Sequence, residues 1–586
     1  MRLDDAIPLV LLDDARAGGA PARLYRSPVR TIRADRIDEV IPALNALRSG
    51  QAEGLEAAGF LAYEAGAAFE SRLAQRADPA GPLLWFGLFD GYSIIAAAEV
   101  ANMLPAAEGA WIGQPEPVIA RDRYDAMMAE ILDLIRAGDI YQANLTFRAR
   151  VPLIGDLLAA YAQLRARSGA GYGAIVMTGQ ETLLSLSPEL FFALDGRTLT
   201  TRPMKGTARR GATMEADRAL VAALSADTKQ RAENLMIVDL LRNDLSRVAR
   251  PGSVAVPDLF AIESYPTVHQ MVSTITAQID DGHDAVDVIA ALFPCGSITG
   301  APKIRAMEVI GDIEGNNPRG VYTGAIGRID ATGDAMFSVA IRTLTLTPGD
   351  DHAVLGLGSG IVADSQSAME WDECLTKAAF LRGAAGPDLI ETMAFDPQQG
   401  ITLLERHLAR MKDSAARFGY RFDRHEARNE LQAATFALRA NSTVRLLLAP
   451  GGAIAIETRG APPVAVQPVD VAVLPLPVDP RDFRLRHKTS DRAFYDTARY
   501  ATGMFEVVFT DPQGRLTEGS FTSIFVERAN VLVTPPLGLG LLPGVLRAEL
   551  IESGRAVEGI LTVDDLAGGF WIGNALRGLI AARLRS

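Results

Sequence analysis

The sequence predicts a layered α/β unit followed by a smaller α+β unit, and three observations carry that expectation. A chain of 586 residues is too long for one ordinary hydrophobic core. Apolar segments of strand length alternate with amphipathic helices as far as about residue 382. A Gly/Ala/Pro stretch at 383–387 then separates that texture from a different one. The expected domains are 1–384, comprising an N-terminal subregion 1–120 and a core 121–384, and then 388–586.

Within the first, GFLAYE (59–64) and LLWFGLF (83–89) read as strands beside glycine or proline. Residues 123–137 carry Tyr124, Met127, Met128, Ile131, Leu134 and Ile135 at helical spacing, with Gly138 as the stop. GDIYQANLTFRARV (138–151) is a turn into a strand, and LLSLSPELFF (183–192) a strand pair. AENLMIVDLLRNDLSRV (232–248) is a helix ended by Arg250-Pro251-Gly252, and 284–293 is a second helix. GSITGAPK (296–303) is a glycine-rich loop. Strands are expected at 324–329, 337–346 and 352–357, then a loop at Gly358-Ser359-Gly360 and a helix over 367–382. The second unit offers a helix over 404–419 and strands at 443–448, 471–474, 506–510 and 521–526, with 452–480 proline-rich enough to be loop.

Apolar residues at 48% and charged residues at 22% describe a soluble globular protein. Lys+Arg 58 against Asp+Glu 71 leaves a net charge of −13, which argues against nucleic acid as a partner. Cations for an anionic substrate must therefore be gathered locally. Cys295 and Cys374 show neither ligand spacing nor a disulfide framework, which fits a reducing, cytoplasmic home. The start, MRLDDAIPLVLLDDARAGG, has no basic stretch before its short apolar run, and no run approaches membrane-spanning length.

The first candidate site is organised around Lys205 in TRPMKGTARRG (201–211). Pro203 fixes its own φ, Gly206 allows close backbone approach, and Arg202, Arg209 and Arg210 lie nearby in sequence. Such a lysine is a point charge for an anion or, with a lowered pKa, a nucleophile. The alternative is a solvated basic loop. Glu370 and Glu373 share a helix face and can hold a hard dication such as Mg²⁺. Ser367-Ala368-Met369-Glu370 also fits a capping box, which would spend Glu370 on its own helix. Glu233 is a third oxygen donor or a solvated surface residue. Gly358-Ser359-Gly360 offers close N–H groups for a carboxylate, and Arg342, mid-strand among apolar neighbours, needs an anion.

PMKGT, AENLMIVDLLRNDL, GSITGAPK, RGVYTGAIG, the Arg342 strand, GSGIVADS and EWDE with Lys377 resemble the chorismate-utilising enzymes. This is the group of anthranilate synthase, aminodeoxychorismate synthase and isochorismate synthase. The resemblance runs from about Ala120 to Arg382 and more loosely to the N-terminus. It implies an anthranilate synthase component I-like α/β sandwich with its site between two subdomains. It implies Mg²⁺ on Glu233, Glu370 and Glu373. Chorismate carboxylates would meet Arg342, Tyr322, Lys377 and the Gly358, Ser359 and Gly360 amides, with Thr299 among the substrate contacts. Glu189 of SPELFF would be general acid or base at the departing hydroxyl, with His269 of TVHQMVS close by. Gln230 departs from the pattern, since relatives carry an acid three residues before Glu233.

Gln142 stands where isochorismate- and salicylate-forming relatives place a water-activating lysine, and so points to amination with ammonia. Lys205 stands where anthranilate synthases have alanine. In aminodeoxychorismate synthases that lysine adds to the ring, so the resemblance implies 4-amino-4-deoxychorismate as product. Neither cysteine lies in a glutaminase-like nucleophile elbow, and ammonia is expected from a separate glutamine amidotransferase subunit.

In the second unit, LERHLARM (404–411) puts Arg406 and Arg410 on one helix face, and RLRHKTSDRAFY (484–495) carries Lys488. LTEGSFTSIF (516–525) sets Glu518 at a turn, and LLPGVLRAEL (541–550) is a Pro-Gly start to a helix, where backbone amides bind phosphate. A pyridoxal phosphate site needs such a lysine, an acid for the ring nitrogen and a phosphate cup. A surface lysine, a polar turn and common helix punctuation are the alternative. In order and wording these segments resemble the fold-type IV pyridoxal phosphate enzymes, which include branched-chain and D-amino acid aminotransferases and aminodeoxychorismate lyase.

That resemblance covers 388 to 584 and implies Lys488 as Schiff-base lysine and proton carrier, with Glu518 on the ring nitrogen. Arg410 and the Val545 and Leu546 amides would bind phosphate, and Asn574 would lie near the substrate. Relatives commonly form homodimers through this domain. They also begin with an extra strand missing here, so that edge is expected from the preceding domain or a partner chain. The motifs leave lyase and transaminase open. The fusion favours a lyase that turns the first product into pyruvate and 4-aminobenzoate, the folate precursor; a transaminase or a non-catalytic module are the alternatives.

Overall fold

The computed structural model describes every residue except 1–2, 4–6, 75–80, 266–267, 316, 351, 382, 384–385 and 586, so part of the expected 383–387 boundary lies outside the described residues. The chain divides into two compact units. The first comprises Met1–Leu104, Gln114–Val151 and Tyr161–Arg382, and the second Pro105–Gly113, Pro152–Ala160 and Gly383–Ser586. No helix among the described residues is long and apolar enough to cross a membrane.

The first unit is an α/β sandwich built on two large sheets. Val10, Ala174, Val176 and Leu183 from one sheet meet Ala58, Phe60, Trp85 and Phe89 from the other in a buried core. The chain changes sheets at two places that matter for the site. Thr182–Ser187 lies in the larger sheet and Leu190–Asp195 in the smaller. Likewise, the strand expected over 337–346 is two strands, Ala335–Val339 in the smaller sheet and Thr343–Leu346 in the larger. Arg342 therefore stands at a break, with φ 51°, and not in mid-strand. Phe337, Val339, Ala340 and Leu344 are all fully buried, so no polar interruption marks the crossing in sequence.

Three further boundaries moved. The 59–64 strand is Glu56–Leu61, after which Tyr63–Phe69 turns as a 3₁₀ helix. The helix carrying Glu233 is Thr228–Ser246, begun early because the Asp227 carboxylate accepts from the Lys229 and Gln230 amides. The Gly358-Ser359-Gly360 segment is not a loop but the interior of the strand His352–Ile361. Its glycines serve close packing. A Cβ on Gly358 would lie 2.7 Å from the Leu145 carbonyl oxygen, and one on Gly360 2.7 Å from Gln142 Nε2.

The second unit holds a four-stranded sheet and an eight-stranded sheet. Helix Leu404–Phe418, ended by Gly419 at φ 66°, buries Leu408, Met411, Ala415 and Phe418 against Val444, Leu446 and Leu448 of the smaller sheet. The 452–480 region is not loop throughout, because it contains the strands Ile454–Gly460 and Val469–Pro475. The strand expected at 521–526 is Ser523–Arg528. The two earlier segments assigned to this unit bring side chains, not a strand of the four-stranded sheet. The Trp111 ring is centred 4.9 Å from Phe418, and Arg481 pairs with Asp156 at 2.7 Å.

Candidate active sites

PMKGT is no solvated loop. Met204–Arg209 is an edge strand paired with Val268–Gln278, and its register shifts between Met204 and Thr207. Lys205 and Gly206 sit in that irregularity, a device that re-aims a side chain. Gly206 has φ 90°, and a Cβ there would lie 3.1 Å from Gln230 Oε1. The neighbouring cations are occupied elsewhere, Arg202 by Glu263 and Arg210 by Asp217. The cation that acts on Lys205 comes instead from the far end of the unit. Burial first, and Lys377 second, lower the Lys205 pKa, while Glu189, Glu233 and Glu373 oppose the fall.

The other walls follow from the strand His352–Ile361. Gly356, Gly358 and Gly360 point to one face of it, and what packs there is the Tyr322 ring, Leu145 with Thr146, and Gln142. The Cβ position on Gly360 is also 3.8 Å from Lys205 Nζ, so Gln142, Gly360 and Lys205 come together. Lys377 Nζ donates to the Gly358 carbonyl at 2.8 Å and pairs with Glu373 at 2.8 Å. Glu189 is buried and accepts from the Ser297 hydroxyl at 2.7 Å. Burial raises its pKa against the pull of Ser297 and Lys205, which suits an acid that must hold a proton. Thr299 is buried beside this wall, its hydroxyl donating to the Cys295 carbonyl at 2.8 Å. Ser297 was missed in sequence although it lies inside GSITGAPK. The buried Arg319 was missed too. It pairs with Glu314 at 2.7 Å and donates to the Asn144 and Ile298 carbonyls, tying the segments of Gln142 and Thr299 to that of Tyr322.

Several expected placements are not met. His269 is fully buried, but Asp217 lies 2.9 Å from its Nε2 and the Ser264 hydroxyl 2.8 Å from its Nδ1, and no contact joins it to Glu189 among the described residues. Arg342 meets no internal carboxylate among the described residues, which leaves the substrate as the other anion expected for it, and burial lowers its pKa. The capping box is absent. Gln366 is the N-cap, and the Ser367 hydroxyl donates to Asp125.

The three expected metal ligands do not form a cage. Glu370 accepts from the Ser365 hydroxyl at 2.7 Å and Glu373 is paired with Lys377. Among the described residues no group of three or more His, Cys, Asp or Glu side chains is arranged to hold a metal ion. The donors are the oxygens magnesium prefers, but one oxygen each of Glu370 and Glu373 already has a protein partner. Burial raises the Glu233 pKa. Burial would also raise Glu373, but Lys377 beside it holds it below the usual range.

In the second unit Lys488 lies next to the strand Leu389–Asp396, its carbonyl accepting from the Ile390 amide at 2.8 Å. Burial brings its pKa down to about 7, with Glu391 opposing and Arg410, Arg492 and Arg445 adding to the fall. Glu518 is buried and held by the Tyr495 hydroxyl at 2.5 Å and the Leu542 amide at 3.1 Å. Burial pushes it up to about 7 against the pull of Arg492. Arg410 donates to the Pro543 carbonyl at 3.0 Å, two residues before the helix Val545–Glu552 begins, which puts it near that helix's start. Arg406, on the same helix, is spent on Glu549 and Glu552.

Asn574 accepts at Oδ1 from the Leu576 and Arg577 amides and donates through Nδ2 to the Phe521 carbonyl. It shapes a turn. Sequence reading also missed Glu391, which takes Arg410 through both oxygens and His407 at 2.6 Å; burial opposes its charge, but these partners hold it at about 2. A lysine that is readily uncharged, a buried acid and an arginine at a helix start fit pyridoxal phosphate, the cofactor of class IV aminotransferases.

With this geometry in view, the chain belongs to the chorismate binding enzymes. That family matches residues 17–383, and residues 388–584 match amino-transferase class IV. The aminodeoxychorismate synthase component 1 of Klebsiella aerogenes is 40% identical over 341 residues, covering 55% of this chain and 75% of that protein. Its counterpart in Escherichia coli strain K12 is 43% identical over 259 residues, covering 44% of this chain and 56% of that protein. The crystal structure of anthranilate synthase component I from Streptococcus pneumoniae TIGR4 aligns with a TM-score of 0.54 at 26% identity, covering 62% of this chain and 93% of that one. The chain is therefore an enzyme, a chorismate-binding sandwich fused to a class IV aminotransferase fold.

Proposed function

We propose that the chain makes 4-aminobenzoate from chorismate in two reactions, one in each unit. The observation that carries the reading is Lys205, set in the bulge of its strand with Gln142 alongside and with Lys377 and three glutamates acting on its charge. Burial and Lys377 favour the neutral amine, which adds at one end of the conjugated diene. The double bonds shift and the far hydroxyl leaves as water with a proton from Glu189. Ammonia then adds at the vacated carbon, the double bonds shift back, and the Lys205 amine departs with the bonding pair. The net exchange is hydroxyl for amine, giving 4-amino-4-deoxychorismate. Arg342, Tyr322 and Lys377 are assigned to the carboxylates.

The ammonia comes from a glutamine amidotransferase subunit. Both cysteines are buried, and burial pushes Cys295 up to about 12 and Cys374 up to about 11, so neither is a thiolate for glutamine hydrolysis. In the second unit Arg410 with the Val545 and Leu546 amides would hold the cofactor's phosphate, and Glu518 would serve its ring nitrogen. The cofactor, once bound through Lys488, supplies an electron sink. Lys488 takes the proton from the amine-bearing ring carbon. The carbon–oxygen bond to the enolpyruvyl group breaks, the ring becomes aromatic, and the released enol gains a proton to become pyruvate.

Purified protein given chorismate and ammonium, with pyridoxal phosphate and magnesium present, is expected to yield 4-aminobenzoate and pyruvate in equal amounts. Glutamine alone should not replace ammonium. Accumulation of the amino-diene without pyruvate would favour a transaminase or a non-catalytic second unit. No consumption of chorismate would sink the reading of the first unit.

A further inference from the structure

The bulge that holds Lys205 and Gly206 has a counterpart across the strand it pairs with. Val268–Gln278 pairs with Met204–Arg209 on one edge and with Ala255–Ser264 on the other, where the register shifts between Asp258 and Ala261. Ser273 stands between the two irregularities. Its amide donates to the Pro203 carbonyl at 3.2 Å, just ahead of the Lys205 bulge. Its hydroxyl accepts from the Phe260 amide at 3.1 Å, inside the second bulge, where Phe260 has φ 62°. The same hydroxyl donates to Asn234 Oδ1 at 2.6 Å. One fully buried side chain thus ties both bulges to the helix Thr228–Ser246.

Asn234 is an odd residue for its place. It is fully buried, and Ile237, Val238 and Leu241 continue its face of the helix as an apolar stripe. Its Nδ2 is buried with no hydrogen-bond partner among the described residues. A leucine would fill such a place without leaving a donor unmet, so the amide costs stability that its bond to Ser273 offsets. Gln230, one turn earlier on the helix, packs at Gly206, where a Cβ would lie 3.2 Å from the Gln230 Cβ. We propose that Asn234 and Ser273 are positioning residues for Lys205: their bond fixes the helix that carries Glu233 against the bulge and holds the Lys205 amine where the diene must meet it. This rests on the reading of Lys205 as the amine that adds to the ring. Neither residue is assigned a contact with chorismate, so their effect falls on rate and not on substrate affinity.

Chorismate consumption by the full chain with ammonium tests this. Ser273→Ala and Asn234→Leu should each lower kcat about 10- to 100-fold, the loss expected when a reacting group is misplaced by about 1 Å, with KM for chorismate within about twofold. The two changes together should cost no more than the larger single loss, as partners in one bond do. In a Lys205→Ala chain neither change should lower the residual rate by more than about twofold, because the group they position is gone. Losses that multiply onto that of Lys205→Ala, an unchanged kcat, or an effect confined to KM each overturn the proposal. If only one of the two variants folds, it alone decides. Failure of both to fold also overturns the proposal, since the pair would then support the whole unit and not Lys205. A Lys205→Ala chain as fast as wild type overturns the reading of the first unit as well, which separates the two failures.

Discussion

Lys205 and Lys488 are both pushed toward the neutral amine by burial, and they differ in the carboxylates around them. Lys205 faces Glu189, Glu233 and Glu373, all of which resist the loss of its proton, with Lys377 working the other way. Lys488 faces Glu391, whose two oxygens are taken by Arg410 and His407, while three guanidiniums add to the effect of burial. Lys488 therefore comes down to about 7. A buried amine is tuned less by depth than by how many unspent opposite charges share its site. The first site keeps both signs close together and can shift its balance when an anion arrives. The second is set before any ligand binds.

Each of the two amines is expected to be essential to one reaction only. Lys488→Ala should abolish the visible absorbance of bound cofactor and lower pyruvate release by about 10⁴-fold, leaving consumption of chorismate with ammonium unchanged. Next in size, Lys205→Ala should lower chorismate consumption by about 10³-fold and leave the visible band intact. A variant that slowed both reactions equally would mean that the two sites are not independent.

Gly206→Ala sharpens the contrast in backbone, because it forces a side chain onto φ 90° against Gln230. Denaturant melts should show a loss of about 1–3 kcal/mol, and amination should fall about 10- to 100-fold as Lys205 is displaced, with cofactor binding untouched. For Lys488 the sign of the pH effect follows from its pKa of about 7. Below that pH the ammonium form cannot attach an aldehyde, and above it the free amine can. Attachment of pyridoxal phosphate to the apo chain should rise about tenfold from pH 6 to pH 8 and then level off, where an ordinary lysine would keep rising toward pH 10. The smallest effect tests the helix of Glu370 and Glu373. Ser367→Ala should cost less than about 0.5 kcal/mol of stability, since Ser367 is not the N-cap; a loss above about 1 kcal/mol would restore the capping role.

Much of the site was legible because its chemistry resides in residue types that motifs carry in order. Lys205 beside Gly206, Gln142 in its buried strand, Glu189 after Pro188, and Lys488 with Glu518 could each be named from sequence, and the structure brings Gln142 and Lys205 together at Gly360. Several of the expected side chains already have protein partners, near or far in the chain. His269 looks free in sequence and is held by Asp217 and Ser264. Asn574 looks like a ligand donor and folds its own turn. Glu370 and Glu373 share a face, and one oxygen of each meets Ser365 or Lys377.

The sequence by itself determined the two-part architecture, the family and the residues able to react, because apolar pattern and side-chain chemistry are local properties. Tertiary structure alone decided that the chain leaves one sheet for the other at Arg342, and that the Gly358–Gly360 segment is strand backed by Gln142. It alone decided, too, that Asn234 meets Ser273 from the buried face of its helix. Those outcomes depend on which distant side chains arrive opposite a residue, and the free energy of a buried charge or a close backbone contact is set by that neighbour and not by its place in the chain.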